Sequence, residues 1–362
     1  MKRVISGLTI DYDADRRFFR DECFSRNKRS WPGRSDLAYK DTRMAPLTSE
    51  TFKGIWAGTT LSWDEKYRLD EKAYAKNIER EIKTKVHGIY TSGSTGEFYA
   101  LDFDEFRLTV DIQADLCGKA DMPLQIGCCS DATAKTIRLL EYAAGKKAVG
   151  SAQVCLPYWM ELTDREVVQF FKDIYTTCPN LPLVHYNIPR AKRFLGGKDY
   201  LRILDVAPSL IGVKYTFAGS NFGQLQSDIM LTPNISYFVG ETMLVSGMLL
   251  GAKGTCSAFI STSNPKFVSG MYADAAAENW SAAIARQKRL QQIIENMVEF
   301  LSSRNEGLSD PVIDKGIGVA SGGLFGHQRC RAPYIGWSDD TIKELRKWMK
   351  SHCPELLYPE IA

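Results

Sequence analysis

Short apolar runs alternate with charged, helix-period stretches along most of this chain. The runs span 54–61, 88–92, 123–129, 151–157, 181–187, 210–216, 235–241 and 254–260. Between them, Asp64–Thr84, Phe103–Cys117, Thr133–Ala144 and Asp164–Thr177 carry apolar residues at helical intervals. A strand that returns after each helix predicts a parallel sheet built by crossovers. Eight such runs predict an α/β fold of the closed (β/α)8 TIM-barrel type, in which active residues sit at the C-terminal ends of the strands. An open doubly wound sheet is the alternative architecture.

The pattern changes at both ends. Residues 1–50 are polar and charged with weak periodicity, and predict an extension outside the catalytic fold. The barrel is expected over 51–262 and a C-terminal helical region over 263–362. Asn264–Leu301 reads as helix, broken near Asp274–Glu278, and Asp339–Lys350 as a last amphipathic helix. Ser302–Pro311 is a polar linker. Gly316–Gly326 reads as a helix end followed by a loop.

Composition narrows the function classes. The 362 residues are 44% apolar, enough for a large core, and the net charge of +3 favours no particular partner. The basic cluster Arg26–Arg34 is short and carries no nucleic-acid motif, so a solvated tail is expected and no nucleic-acid partner. Nine cysteines form no CxxC pair. Cys128 and Cys129 are neighbours on a predicted strand and so face opposite sides. Reduced thiols in a cytoplasmic enzyme fit this pattern. Four scattered histidines lack metal-ligand spacing, so no metal is expected. No apolar run reaches the roughly 18 residues of a membrane span, and no secretion signal is evident.

Three segments carry candidate chemistry. Lys214 lies in Leu210-Ile-Gly-Val-Lys-Tyr-Thr216, an apolar run that reads as a buried strand. Burying an ammonium is costly unless it is paired or neutralised. A neutral lysine near pH 7 is a nucleophile for carbonyl carbon. A strand-end lysine that reaches solvent or an acidic partner is the other reading. Gly93-Ser-Thr-Gly-Glu97 follows a predicted strand, and Ser94, Thr95 and nearby N–H groups there could cradle an anion. Its spacing fits neither a P-loop nor a dinucleotide fingerprint. Tyr186 and Asn187 end the strand 181–187, which leaves a phenol at a strand terminus. An amine, a proton shuttle and a carboxylate pocket are what imine chemistry on a 2-oxo acid needs. Glu241, also at a predicted strand end, could touch a distal substrate group or form a rim salt bridge.

In order along the chain, Gly93-Ser-Thr-Gly-Glu97, Tyr186-Asn-Ile-Pro189, Gly212-Val-Lys214, Gly251-Ala-Lys-Gly254 and Asn264-Pro265 resemble the motifs of one superfamily. It is the dihydrodipicolinate synthase and N-acetylneuraminate lyase superfamily of class I aldolases, and the resemblance runs from about Gly54 to about Trp348. It implies that Lys214 forms a Schiff base with pyruvate or a related 2-oxo acid and that Tyr186 shuttles protons. It implies catalytic assistance from Thr95 and a substrate-carboxylate site at Gly93, Ser94 and Thr95. The only cofactor it implies is the covalent lysine imine itself. The expected partners are a small 2-oxo acid, an aldehyde and further copies of the chain, as a homotetramer.

Within that superfamily, Leu156-Pro-Tyr-Trp-Met160, Tyr186–Phe194 and Cys330-Arg-Ala-Pro-Tyr334 look most like the aryl-pyruvate hydratase-aldolases. Trp159 stands where the synthases carry a tyrosine. Ala191 stands where they carry an arginine. The resemblance implies a substrate site that includes Trp159, Asn187 and Glu241, with Phe194, Phe217 and Phe222 as further candidate aromatic walls. Gly93–Glu97 is the sialate-lyase form of its motif. A sugar-acid lyase or dehydratase, a dihydrodipicolinate-synthase-like enzyme and a non-catalytic barrel are therefore the alternatives.

Overall fold

Eight parallel strands close on themselves in sequence order. They are β1 (Gly54–Gly58), β2 (Gly88–Thr91), β3 (Leu124–Gly127), β4 (Val149–Val154), β5 (Leu183–Asn187), β6 (Leu210–Tyr215), β7 (Ser236–Val239) and β8 (Gly254–Ser257). Seven lie inside the apolar runs, and β4 starts two residues before its run. The computed structural model describes residues 44–216 and 222–359. Phe217, Arg26–Arg34 and most of the predicted extension lie outside the described residues.

Helices α1 (Glu71–Lys83), α2 (Phe103–Lys119), α3 (Thr133–Ala144), α4 (Asp164–Thr177), α5 (Gly197–Leu204), α6 (Phe222–Leu231), α7 (Leu244–Leu249) and α8 (Phe259–Ser263) follow the strands. Their starts are written locally. Asp102 with Glu105 and Thr163 with Glu166 form capping boxes on α2 and α4. Four more helices follow the barrel: α9 (Pro265–Ala276), α10 (Trp280–Ser302), α11 (Asp310–Ser321) and α12 (Asp339–His352). The predicted break near 274–278 is the α9–α10 turn. The glycine-rich run is the end of α11 and the loop after it, with Gly322 at φ 80° as the left-handed cap.

The larger core lies between strands and helices. A second cluster fills the barrel interior with Leu47, Phe52, Trp56, Tyr90, Val184, Phe238 and Cys256. Phe52 stacks on Phe238 with ring centroids 4.1 Å apart, and its carbonyl accepts from Ser236. It sits just before β1 and so plugs the N-terminal end of the barrel. Gly212 makes this possible, because a Cβ there would come within 2.7 Å of the Phe52 ring. With that end plugged, the C-terminal mouth is left for chemistry.

Among the described residues the eight cysteines are free and buried. Cys23 lies outside them. No described helix is long and apolar enough to cross a membrane, and no group of three or more metal-ligand side chains occurs among the described residues.

Candidate active site

Lys214 and Tyr186 are register partners on β6 and β5. Partners in a parallel pair share a face, so both side chains enter the barrel mouth together. The Lys214 Nζ lies 4.2 Å from the centroid of the Tyr186 ring and 4.6 Å from that of Tyr90. It is 3.5 Å from the Tyr90 hydroxyl. Gly93 closes this cluster, since a Cβ there would stand 3.9 Å from Nζ.

Two opposing influences act on the amine. Burial works against the ammonium, but Tyr186 and Tyr90, then Cys256 and Asp310, outweigh it and hold the amine above its ordinary range. Burial also pushes both phenols up, against the pull of Lys214. The amino group lies between two ring faces, whose quadrupoles favour an ammonium there. Its proton must leave before the nitrogen can attack a carbonyl.

Beyond the amine, a chain of polar groups runs to the surface. The Tyr186 hydroxyl is 3.2 Å from Ser94 Oγ. The Ser94 oxygen also accepts from Arg190 at 3.4 Å. Arg190 is paired with Asp310 of α11 at 2.6 and 3.3 Å. Ser94, rather than Thr95, is thus the hydroxyl that meets Tyr186. Thr95 is buried and lies next to Asp314 instead.

Glu241 follows β7 and lines the same inner cavity as Lys214. Its carboxylate accepts from the Ser257 hydroxyl and, at 2.8 Å, from the Ala258 N–H. Burial pushes it up to about 7, against the pull of those two donors. Thr95, Asp310 and Asp314 line this cavity too. It encloses about 280 Å³, and apolar residues of α10 and α11 such as Met297, Leu301 and Ile317 close its far side. An outer cleft of about 320 Å³ shares Tyr186 and Asp310 and is walled by Phe98, Tyr99, Tyr158 and Tyr334.

Two expected substrate contacts lie elsewhere. Asn187 is buried on the opposite strand face from Tyr186. Its amide bonds the Leu195 carbonyl at 2.8 Å and the Leu195 N–H at 3.0 Å, which spends it on pinning the loop after β5. Trp159 is 80% exposed and lines neither cavity. The polar position beside it is set by the turn after β4, which buries Leu156 and points Tyr158 inward. Phe194 packs on Tyr215 with centroids 4.9 Å apart, away from the amine. Aromatic walls exist, but other residues supply them.

The residues that sequence reasoning passed over come chiefly from α11. Asp310 and Asp314 are four apart and therefore share a helix face. That spacing was visible, but nothing in it pointed to the barrel. Glu97 of the Gly93–Glu97 turn forms a fully buried ion pair with Lys315. It also accepts from Trp63 Nε1 at 3.0 Å and from the Arg331 N–H at 2.9 Å. Lys315 reaches the Arg329 carbonyl at 2.7 Å. One carboxylate thus ties the active turn, α11 and the 329–331 segment together.

Comparison with known proteins agrees with this geometry. The model of the Dihydrodipicolinate synthetase family matches residues 51–352. The chain belongs to the dihydrodipicolinate synthetase family. It is 27% identical over 289 residues to 4-hydroxy-tetrahydrodipicolinate synthase of Campylobacter fetus, covering 79% of this chain and 92% of that one. It is 27% identical over 229 residues to the synthase of Ehrlichia canis, covering 62% and 75%. Among solved structures, a prophage protein of the dihydrodipicolinic acid synthase family from E. coli K12, in complex with pyruvate, has the same fold. It matches with TM-score 0.74 and 21% identity, over 84% of this chain and 99% of that one. CdNal from Clostridium difficile, in complex with mannosamine, matches with TM-score 0.73 and 21% identity, over 83% and 99%. Members of the dihydrodipicolinate synthetase family form a covalent lysine imine with pyruvate and use no external cofactor.

Proposed function

We propose that this protein is a class I aldolase of the hydratase-aldolase kind, acting on pyruvate or a related 2-oxo acid and a bulky, aromatic aldehyde. The observation that carries the reading is the cluster of Lys214, Tyr186 and Ser94 at the mouth of the barrel. Lys214 attacks the 2-oxo carbon once its proton has left. The carbinolamine loses water, and the protonated imine becomes an electron sink for carbanion character at C3. In cleavage, the C3–C4 bond of a 4-hydroxy-2-oxo acid breaks, the aldehyde leaves and an enamine remains. Tyr186 carries the protons, with Ser94 holding its hydroxyl in line. Thr95 and the turn N–H groups hold the substrate carboxylate.

Two features support an uncharged, flat acceptor. The outer cleft is walled by four aromatic side chains. The two arginines near Ala191 are both engaged: Arg190 with Asp310, and Arg193 with Asp164, Asp199 and the Leu162 carbonyl. No guanidinium therefore waits for a second carboxylate. A sugar-acid substrate is the second reading, favoured by Glu241 in the inner cavity, where a carboxyl group can accept from hydroxyls.

Borohydride reduction with pyruvate is expected to add one pyruvate-derived mass to the peptide carrying Lys214. Labelling of another lysine, or of none, rejects the assignment. In condensation assays, benzaldehyde-type acceptors are expected to exceed aspartate semialdehyde about tenfold in kcat/KM, the order that aromatic stacking supplies. A win for N-acetylmannosamine would select the sugar reading. Exposed Trp159 and Met160 fit a face covered by another subunit. Sedimentation is expected to give a tetramer, and a monomer at micromolar concentration would refute this.

A further inference from the structure

Asp314 is a carboxyl group that the reading above does not use. It projects from α11 into the inner cavity that Lys214 also lines. The side chain is buried, and its Oδ2 has no hydrogen-bond partner. Thr95, from the Gly93–Glu97 turn, is its neighbour. A buried carboxyl oxygen without a partner costs free energy, so its retention beside a nucleophilic amine points to use. Its position is also firmly held. Lys315, the next residue, is locked in the buried pair with Glu97.

We propose that Asp314 is a general acid of the imine site, delivering a proton to the hydroxyl that leaves the carbinolamine. This rests on the imine reading above and names a further group for it. The step balances within the cavity. The carbinolamine C–O bond breaks as its oxygen takes the Asp314 proton and departs as water. The nitrogen lone pair forms the C=N bond, which leaves a protonated imine facing an Asp314 carboxylate. The proton that the Lys214 ammonium gave up before attack returns the carboxylate to its acid form. Overall, an ammonium and a carbonyl become a protonated imine and water, with no proton gained or lost.

The surroundings keep Asp314 in the form this step requires. Burial raises its carboxyl well above the usual range, and Asp310 on its own helix adds to that. Glu241 beyond β7 pushes the same way, while Thr95 and Lys214 on β6 pull it down. Tyr90 on β2 and Cys330 after α11 also face this carboxyl. The net push is toward the acid form, and the group is the counter-ion of the protonated imine until its proton returns.

The test is the rate of pyruvate trapping by borohydride under single-turnover conditions, across pH, in wild type, Asp314→Asn and Asp314→Glu. The asparagine keeps the shape and the Thr95 contact but has no acidic proton. Trapping is expected to slow about 10²-fold, the lower worth of a positioned acid. Its alkaline limb in the pH profile should disappear, and the glutamate should restore part of the rate. Thermal melting of the asparagine variant reports whether the fold is kept, and the glutamate variant gives a second reading if it is not. An asparagine variant that traps within threefold of wild type, with an unchanged pH profile, overturns the proposal. A wild type that traps no pyruvate overturns the imine reading and this inference together.

Discussion

The two walls of the inner cavity come from different kinds of structure. Lys214, Tyr186 and Glu241 stand on or just beyond β6, β5 and β7, where barrel register alone brings them together. Asp310 and Asp314 stand on α11, outside the barrel, and reach the cavity only because that helix is clamped over the mouth. The clamp is polar. The Lys315–Glu97 pair and the Arg190–Asp310 bridge join helix to barrel, and the Arg329 carbonyl ties Lys315 to the segment after α11. The strand wall is thus held by a backbone ladder that any suitable apolar sequence can form. The helix wall depends on one buried ion pair, Lys315–Glu97, whose loss the ladder cannot compensate. Chemistry and stability should therefore separate on one wall and travel together on the other.

The sharpest test of that contrast is Tyr186→Phe. It removes one hydroxyl and leaves the ring against Lys214. Turnover should fall about 10²–10⁴-fold, the usual worth of a positioned acid–base group. The melting temperature should barely move, since the ring packing is untouched. A variant with wild-type rates on the best substrate would remove Tyr186 from the mechanism. A variant that unfolds would show that the strand wall is no more robust than the helix wall.

The helix wall should behave in the opposite way. Lys315→Met leaves Glu97 buried without its cation, and Glu97→Gln leaves Lys315 without its anion. Each is expected to lose about 3–5 kcal/mol of unfolding free energy in denaturant titrations, the range for breaking one side of a buried pair. Activity should fall with stability, because α11 carries Asp310 and Asp314. The double variant should recover part of the loss, because neither charge is then stranded. Single variants as stable as wild type would show that the clamp lies elsewhere.

A smaller effect is expected at Glu241, where the two walls meet. Its carboxyl is raised to about 7 in the fold, with burial as the main cause. An unfolded glutamate titrates near 4.3. Between those values the folded state binds more protons than the unfolded one, so stability from this group falls as pH rises. Glu241→Gln removes the ionisation. Its unfolding free energy relative to wild type should therefore grow by about 1–3 kcal/mol from pH 5 to pH 8. A constant difference across that range would mean that Glu241 is ionised in the fold at pH 5.

Much of the barrel was legible because its information is local and periodic. Each apolar run is a strand, and each strand end is a place where a side chain can reach the mouth. Lys214 stood out as a cation in an apolar run, and Tyr186 as a phenol before a proline. Asn187 shows the limit of that logic. It too ends a strand, but successive strand residues face opposite sides, and its face is turned to the loop after β5. Trp159 shows another, since a chain pattern cannot say whether an aromatic faces a cavity or the surface.

By itself, the sequence determined the order of strands and helices, the capped helix starts, the plug-compatible glycine at 212 and the place of Lys214 in an apolar strand. These follow from propensity, periodicity and motif, which act over a few residues. Tertiary structure alone decided the packing of Lys214 against Tyr186 and Tyr90, the pairing of Ser94 with Tyr186 and the arrival of Asp314 in the cavity that Lys214 lines. Each depends on groups separated by scores of residues and on the free energy of burying charge. That cost is set by what lies around a group in space, and no window of the chain contains it.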